Sequence, residues 1–130
     1  AGVTADERFP RMTVVCSGDA LILEQITKQL AKLVDVRDIK ILEPENSVSR
    51  ELVLAKVAAK PNEREGVMTI ANIFRANIID VGKESMVIEL TGSKSKLSAF
   101  IDLLDEYEIL ELARTGITGL SRGADDVRFF

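Results

Sequence analysis

The chain contains no histidine. That removes the commonest general base and the commonest transition-metal ligand. Cys16 is the one cysteine, so no disulfide can form within the chain, and a reducing cytoplasm is the natural compartment. Basic residues are in deficit: 17 Lys and Arg against 21 Asp and Glu leave a net charge of −4, with a pI near 4.9. There is no basic field to attract a phosphate backbone, which argues against nucleic acid as a partner. No apolar run reaches the ~18–20 residues that a bilayer span requires, and no signal-peptide pattern opens the chain. The start, Ala1-Gly2-Val3-Thr4, lacks an initiator Met, as expected of a processed or trimmed chain or of a fragment. Any enzymatic chemistry would have to rest on carboxylates, lysines, one thiol and one tyrosine.

What is present is the composition of a folded protein: 46% hydrophobic and 29% charged residues over 130 positions, enough for one domain or two very small ones. Arg11 to Cys16 is β-branched and short, and reads as a strand. Ser17-Gly18-Asp19 turns the chain, with Asp19 placed to cap a helix over Ala20 to Leu33. Leu23, Ile26, Leu30 and Leu33 form that helix's apolar stripe, and Glu24 and Lys28 stand in the favourable i,i+4 order. Arg37 to Leu42 reads as a second strand. Glu43 to Ser47 is polar, contains proline and has no periodicity, so it marks a boundary between domains at 1–43 and 48–123, with a charged tail at 124–130.

Arg50 to Ala59 is a long strand. Asn62 and Glu65 have capping-box spacing ahead of a helix carrying Val67, Ile70, Ala71 and Phe74 on one face. Asn77–Val81 and Ser85–Leu90 form a hairpin around Gly82-Lys83-Glu84. Gly92-Ser93 opens a helix with Leu97, Phe100, Ile101 and Leu104 on one side, and Ile109–Ala113 is a further strand. Gly116 to Gly123 reads either as an edge strand or as a packed tail. The order βαββαβ predicts a ferredoxin-like α+β sandwich: a four-stranded antiparallel sheet with both helices on one face. In that plan each crossover skips one strand position. The two strands of the first block should therefore not touch, and a strand from elsewhere should lie between them. The first block reads as the second half of the same plan, with the segment that precedes it either lost or supplied by another chain.

Cys16, set in a β-branched strand with no histidine to activate it, is expected to be a small buried apolar residue. Asp102, Asp105, Glu106, Glu108 and Glu111 gather near one helix end; oxygen ligands of this kind can bind a divalent cation weakly, but such a run is ordinarily a solvated face. Arg114-Thr115-Gly116 and Ser121-Arg122-Gly123 combine guanidinium groups with glycine turns. They could meet a partner carboxylate or an anion, or simply be solvated turns. No nucleophile–base pair converges, so no catalytic, cofactor or metal residue is assigned.

Several stretches resemble a known family. They are Arg11-Met12-Thr13-Val14-Val15, Gly18-Asp19, Leu23 to Leu30, Lys32-Leu33-Val34-Asp35-Val36, Arg50 to Val57 and Ile73 to Val81. Ala113-Arg114-Thr115-Gly116 and Gly119-Leu120-Ser121-Arg122-Gly123 complete the set. In this order they resemble the regulatory (small) subunit of acetohydroxyacid synthase, also called acetolactate synthase, over about nine-tenths of the chain. The resemblance implies an N-terminal ACT domain, a ferredoxin-like ligand-sensing module, followed by a second small α+β domain. It implies a non-catalytic protein that binds the catalytic large subunit and activates it. It also implies feedback inhibition by valine or a related branched-chain amino acid in valine, leucine and isoleucine biosynthesis. The effector would sit between two ACT domains. Thiamine diphosphate, magnesium and flavin would belong to the large subunit. Here the chain is read as a partial ACT β-α-β unit, beginning near the end of the second ACT strand at Gly2-Val3-Thr4. The effector loop is then not represented, and no effector-binding residue is assigned. Arg114, Thr115, Gly116 and Arg122 are the candidate partner contacts. Homodimerisation through open sheet edges or helix faces is also expected. The alternative is a free-standing ACT-type amino-acid sensor that does not touch the synthase.

Overall fold

The computed structural model describes residues 12–16, 18–33, 36 and 38–124. In chain order the elements are α1 (Ala20–Ala31), a 3-10 turn (Pro44–Asn46), β1 (Ser47–Ala58), α2 (Arg64–Phe74) and β2 (Asn77–Val81). There follow β3 (Ser85–Gly92), α3 (Lys94–Leu104), β4 (Ile109–Arg114) and β5 (Thr118–Ser121). They divide into two compact units, residues 50–117 and the described parts of 1–49 and 118–130.

Within 50–117 the sheet order is β2-β3-β1-β4, and every pairing is antiparallel. Each β-α-β crossover skips one strand, as the ferredoxin-like plan requires. Alternation along β1 explains why the sheet holds its helices. Val53, Ala55 and Val57 are fully buried, as are Met86, Ile88 and Leu90 on β3. These side chains share a face and meet Val67, Ile70 and Ala71 of α2 and Leu97, Phe100 and Leu104 of α3 in one cluster. Each fully buried large side chain stabilises the fold by ~1.5–3 kcal/mol. Phe74 and Phe100 join the two helices edge to face, 5.4 Å between ring centres.

Local chemistry sets the helix ends. The Ser93 hydroxyl accepts from the Lys96 N–H and starts α3. Arg75 closes α2 in the left-handed conformation, φ 58°. Gly66, inside α2, lowers helix propensity by ~1 kcal/mol. Its place is explained by Tyr107, whose hydroxyl would lie 2.0 Å from any Cβ at that position. Asn62 does not cap α2, contrary to the capping-box expectation. The helix begins one turn-residue later, after Glu63, whose carboxylate instead accepts from the Lys60 N–H at 3.2 Å. The hairpin forms as predicted, with Gly82 N–H donating to the Ser85 carbonyl at 2.8 Å. The Arg64 guanidinium donates to the Gly82 and Lys83 carbonyls across the same turn.

In the other unit, Asp19 caps α1 as expected, accepting from the Ile22 N–H at 3.0 Å. Gly116 to Gly123 resolves in favour of a strand: β5 pairs with β1. Gly119 sits so close to Leu42 and Val48 that an added Cβ would come within 3.1–3.2 Å of them. The two strands expected at the front of the chain are not seen: among the described residues, 12–16 and 38–42 carry no ladder. A β-branched sequence favours an extended backbone, but a strand also needs a neighbour to take its N–H and C=O groups. The expected burial of α1 fails for the same reason. The helix has no buried residue, Leu23, Ile26 and Leu30 are half-buried, and Leu33 lies past its end and is exposed. A stripe becomes core only where a sheet lies under it. Cys16 is exposed rather than buried. Arg11, Ser17, Val34, Asp35, Arg37 and residues 125–130 of the expected tail lie outside the described residues.

Leu104 is fully buried between the helices and the sheet. Leu104→Ala should lower unfolding free energy by ~2–5 kcal/mol, read as an earlier urea midpoint with an unchanged slope. An unchanged midpoint would contradict the packing described.

Candidate functional site

The same alternation that buries one face of β1 turns Leu52, Leu54, Lys56 and Ala58 to the opposite face of the sheet, and none of these four is fully buried. Register then places their neighbours. Across the sheet Asp80, Val87, Lys56 and Glu111 form one row, and Asn77, Glu89, Leu54 and Ala113 form the next. Thr91 and Leu52 continue the pattern toward one end, where the Thr115 N–H donates to the Leu52 carbonyl at 3.0 Å and the Leu52 N–H donates to the Thr115 hydroxyl at 2.9 Å. The result is a mixed surface, in which Lys56 and Glu89 of the two inner strands lie among Leu52, Leu54 and Val87. Both helices of this unit pack on the other side.

Two groups on this face perturb each other. Lys56 Nζ lies 2.5 Å from Glu111 Oε2. That hydrogen bond and the charge behind it hold the Lys56 pKa above the ordinary lysine range and the Glu111 pKa below the ordinary carboxylate range. Asp80 adds a smaller push on Lys56 in the same direction. Both side chains are well exposed, so the pair's contribution to stability is small and screened by salt.

The residues singled out in the sequence fall in different places. Arg114 ends β4 and pairs with Glu51 at 2.9 Å, with a further donation to the Lys94 carbonyl at 3.4 Å. Glu51 is a charged side chain buried to about nine-tenths, so this pair joins the start of β1 to the end of β4. Thr115 Oγ1 accepts from the Leu52 N–H at 2.9 Å, and Gly116 is exposed beside it. Arg122 follows β5 in the other unit, where its N–H donates to the Asn46 carbonyl at 2.9 Å. Thus Arg114, Thr115 and Gly116 are brought together and Arg122 belongs to a separate unit. Among the described residues, no group of three or more Asp, Glu, His or Cys side chains is arranged to hold a metal ion. No helix among them is long and apolar enough to cross a membrane. The outer sheet face was not singled out from the sequence. Its signal was there: Leu52 and Leu54 alternate with Val53 and Ala55, so β1 is apolar on both faces, as in a strand covered on both sides.

Residues 50–123 match the family described as small subunit of acetolactate synthase. The chain is 48% identical over 123 residues to the probable acetolactate synthase small subunit of Archaeoglobus fulgidus, covering 94% of this chain and 76% of that protein. The chain belongs to the acetolactate synthase small-subunit family. The small subunit of Haemophilus influenzae is 43% identical over 95% of this chain and 77% of its own length. The crystal structure of the Thermotoga maritima small subunit superposes with a TM-score of 0.76 at 41% identity, covering 84% of this chain and 68% of that one. The family match over residues 50–123 includes both the α2–α3 sandwich and the Arg114-to-Gly123 segment on which the resemblance partly rests.

Two variants test the electrostatics. Arg114→Met leaves the Glu51 carboxylate buried without its partner, so stability should fall by ~1–3 kcal/mol; an equally stable protein would show that the pair is not needed. For Glu111 the folded pKa is depressed, so its contribution is present above the ordinary carboxylate range and is lost as pH falls through the folded value. For Lys56 the folded pKa is raised, so its contribution is present below the ordinary lysine range and is lost as pH rises through the folded value. The stability difference between wild type and Glu111→Gln should therefore be small and flat across neutral pH, close in acid and shrink in high salt. A difference that grows in acid would reverse the assignment.

Proposed function

We propose that this chain is a non-catalytic regulatory subunit that binds the catalytic large subunit of acetolactate synthase and raises its turnover. In this reading it also carries the feedback response of that enzyme to a branched-chain amino acid in valine, leucine and isoleucine biosynthesis. The observation that carries the proposal is the family match, which holds at 43–48% identity over about 94–95% of the chain in relatives named as small subunits. The chemistry is consistent with it. The sequence has no histidine, and the Lys56–Glu111 pair is perturbed by mutual contact on an open surface rather than by a cleft. The chain's contribution would then be binding area and state preference, not bond chemistry.

The mechanism follows from linkage. A partner that binds the active arrangement of the large subunit better than the inactive one shifts the equilibrium by that difference and no more. An effector reverses the shift only through its own preference between the two states; such couplings are worth ~1–3 kcal/mol, or roughly 5–150-fold. Sheet edges at β2 and β4 offer a route to association of small-subunit copies.

Reconstitution tests the reading. The purified chain should co-elute with the large subunit on size exclusion and increase its acetolactate formation several-fold. Valine, isoleucine and leucine titrations of the complex would identify the effector. Separate elution with unchanged turnover would favour a free-standing sensor, and acetolactate formation by the isolated chain would end the non-catalytic reading.

A further inference from the structure

We infer that two copies of this chain associate through β4, edge to edge and antiparallel, with Ala113 of one copy opposite Ala113 of the other. The sheets of residues 50–117 in the two copies then join into one. The inference goes beyond the regulatory reading, since it selects an edge and a register, and it holds whether or not the large subunit is bound.

Backbone direction identifies the open groups. The Thr115 N–H donates to the Leu52 carbonyl at 3.0 Å. Bonding alternates along an antiparallel ladder, so Ala113 and Glu111, opposite Leu54 and Lys56, also turn their N–H and C=O groups toward β1. Leu112 and Arg114, opposite Ala55 and Val53, turn theirs away. β4 ends the sheet order, so among the described residues no strand of 50–117 meets those outward groups. The opposite edge, β2, is a poorer template. A register shift falls between Ile78 and Asp80, inside a strand of 5 residues, and a bulge disrupts further pairing. On β4 the irregularity lies before Glu111, and Glu111 to Arg114 runs in unbroken register.

Charge on the edge selects a second copy as the occupant. The two ionised side chains of the regular stretch already have counter-ions on β1: Glu111 with Lys56 at 2.5 Å, and Arg114 with Glu51 at 2.9 Å. A copy brings the same compensated edge, so neither charge calls for a foreign partner. Leu112 supplies apolar contact. It stands on the helix face, opposite buried Ala55, yet is 46% exposed.

The register follows from the faces. A continuous sheet keeps like faces in line, so a two-fold axis can fall on Glu111, Leu112 or Ala113. On Glu111 it sets two carboxylates directly opposite, which is unfavourable. On Leu112 it gives Arg114 the partner Leu110, which the bulge leaves out of register. On Ala113 it pairs each Leu112 with the other copy's Arg114, and the outward groups exchange hydrogen bonds wholly within the regular stretch. The close approach at the axis, ~4.5 Å between Cα atoms, then falls on a small, exposed side chain.

Disulfide trapping in the full chain tests the assignment. Cys16→Ser removes the native thiol, and Ala113→Cys places a thiol at the axis, where the separation suits a disulfide. Oxidised glutathione is the oxidant: the two protein thiols lose two protons and two electrons to it, and it leaves as two glutathione thiols. Covalent dimer should form at least about tenfold faster than with Ile79→Cys, at the exposed β2 bulge, in the same Cys16→Ser background. Leu112→Pro removes an outward N–H and leaves the β1 ladder intact, as edge positions allow, and should slow trapping at position 113 by about tenfold. Circular dichroism checks folding. Where Leu112→Pro unfolds the chain, Leu112→Lys replaces it, and the same slowing is expected. Equal rates at positions 113 and 79, or trapping that the Leu112 variant leaves unchanged, overturns the β4 assignment. So does a wild-type chain that sediments as a monomer at the trapping concentration, the result expected if this edge takes a strand from another protein. None of these results touches the regulatory reading, which rests on co-elution with the large subunit.

Discussion

The fold of residues 50–117 hangs on β1. It is one of two inner strands, pairing with β3 along Glu51 to Ala58 and with β4 along Val53 to Val57. Its backbone groups are thereby satisfied while Val53, Ala55 and Val57 are driven fully into the helices. The constraint is strict because the side-chain period of a strand is two. A slip of one residue would put Leu52, Leu54 and Lys56 under the helices and send the valines to the other face. An ammonium beneath α2 and α3 is an expensive outcome, so Lys56 helps to exclude the alternative register. The Glu51–Arg114 pair adds a second registration mark at the far end of the strand.

That same strand links stability to function. One set of its side chains builds the core, and the other set lays out a surface whose pattern is inherited from the register rather than from local sequence. Family membership says what kind of protein carries this sheet. The geometry says which residues stand together on it. Lys56 and Glu111 are 55 positions apart in the chain and meet because β4 returns beside β1. Asp80, Glu89 and Leu54 come together on three neighbouring strands for the same reason.

The two blocks of the chain respond differently to similar sequence signals. The stripes Val67/Ile70/Ala71 and Leu97/Phe100/Leu104 are legible as core, and they are core, because a sheet lies beneath them. Leu23/Ile26/Leu30 reads just as well, yet none of the three is buried. The helix itself forms, since Asp19 caps it and the Glu24–Lys28 pair at 3.0 Å supports it. Burial of its stripe is a separate matter that local periodicity does not govern. Cys16 follows the same logic, exposed where its neighbours predicted burial. Asn62 shows a smaller version of it: two residues had capping-box spacing, but the turn through Lys60 to Glu63 placed the helix start elsewhere.

Periodicity, turn residues and charge balance thus suffice for the order of elements within 50–117, for its ferredoxin-like plan and for the hydrophobic faces of α2 and α3. These depend on interactions a few residues apart, or on an apolar pattern with one consistent solution. The family resemblance was legible too, because its stretches run in order along the chain. Pairing partners, the exposure of α1, the Glu51–Arg114 contact and the mixed outer face of the sheet depend on which strands lie side by side. Those are contacts between residues tens of positions apart, and a one-dimensional pattern does not encode their distances until the chain has folded back on itself.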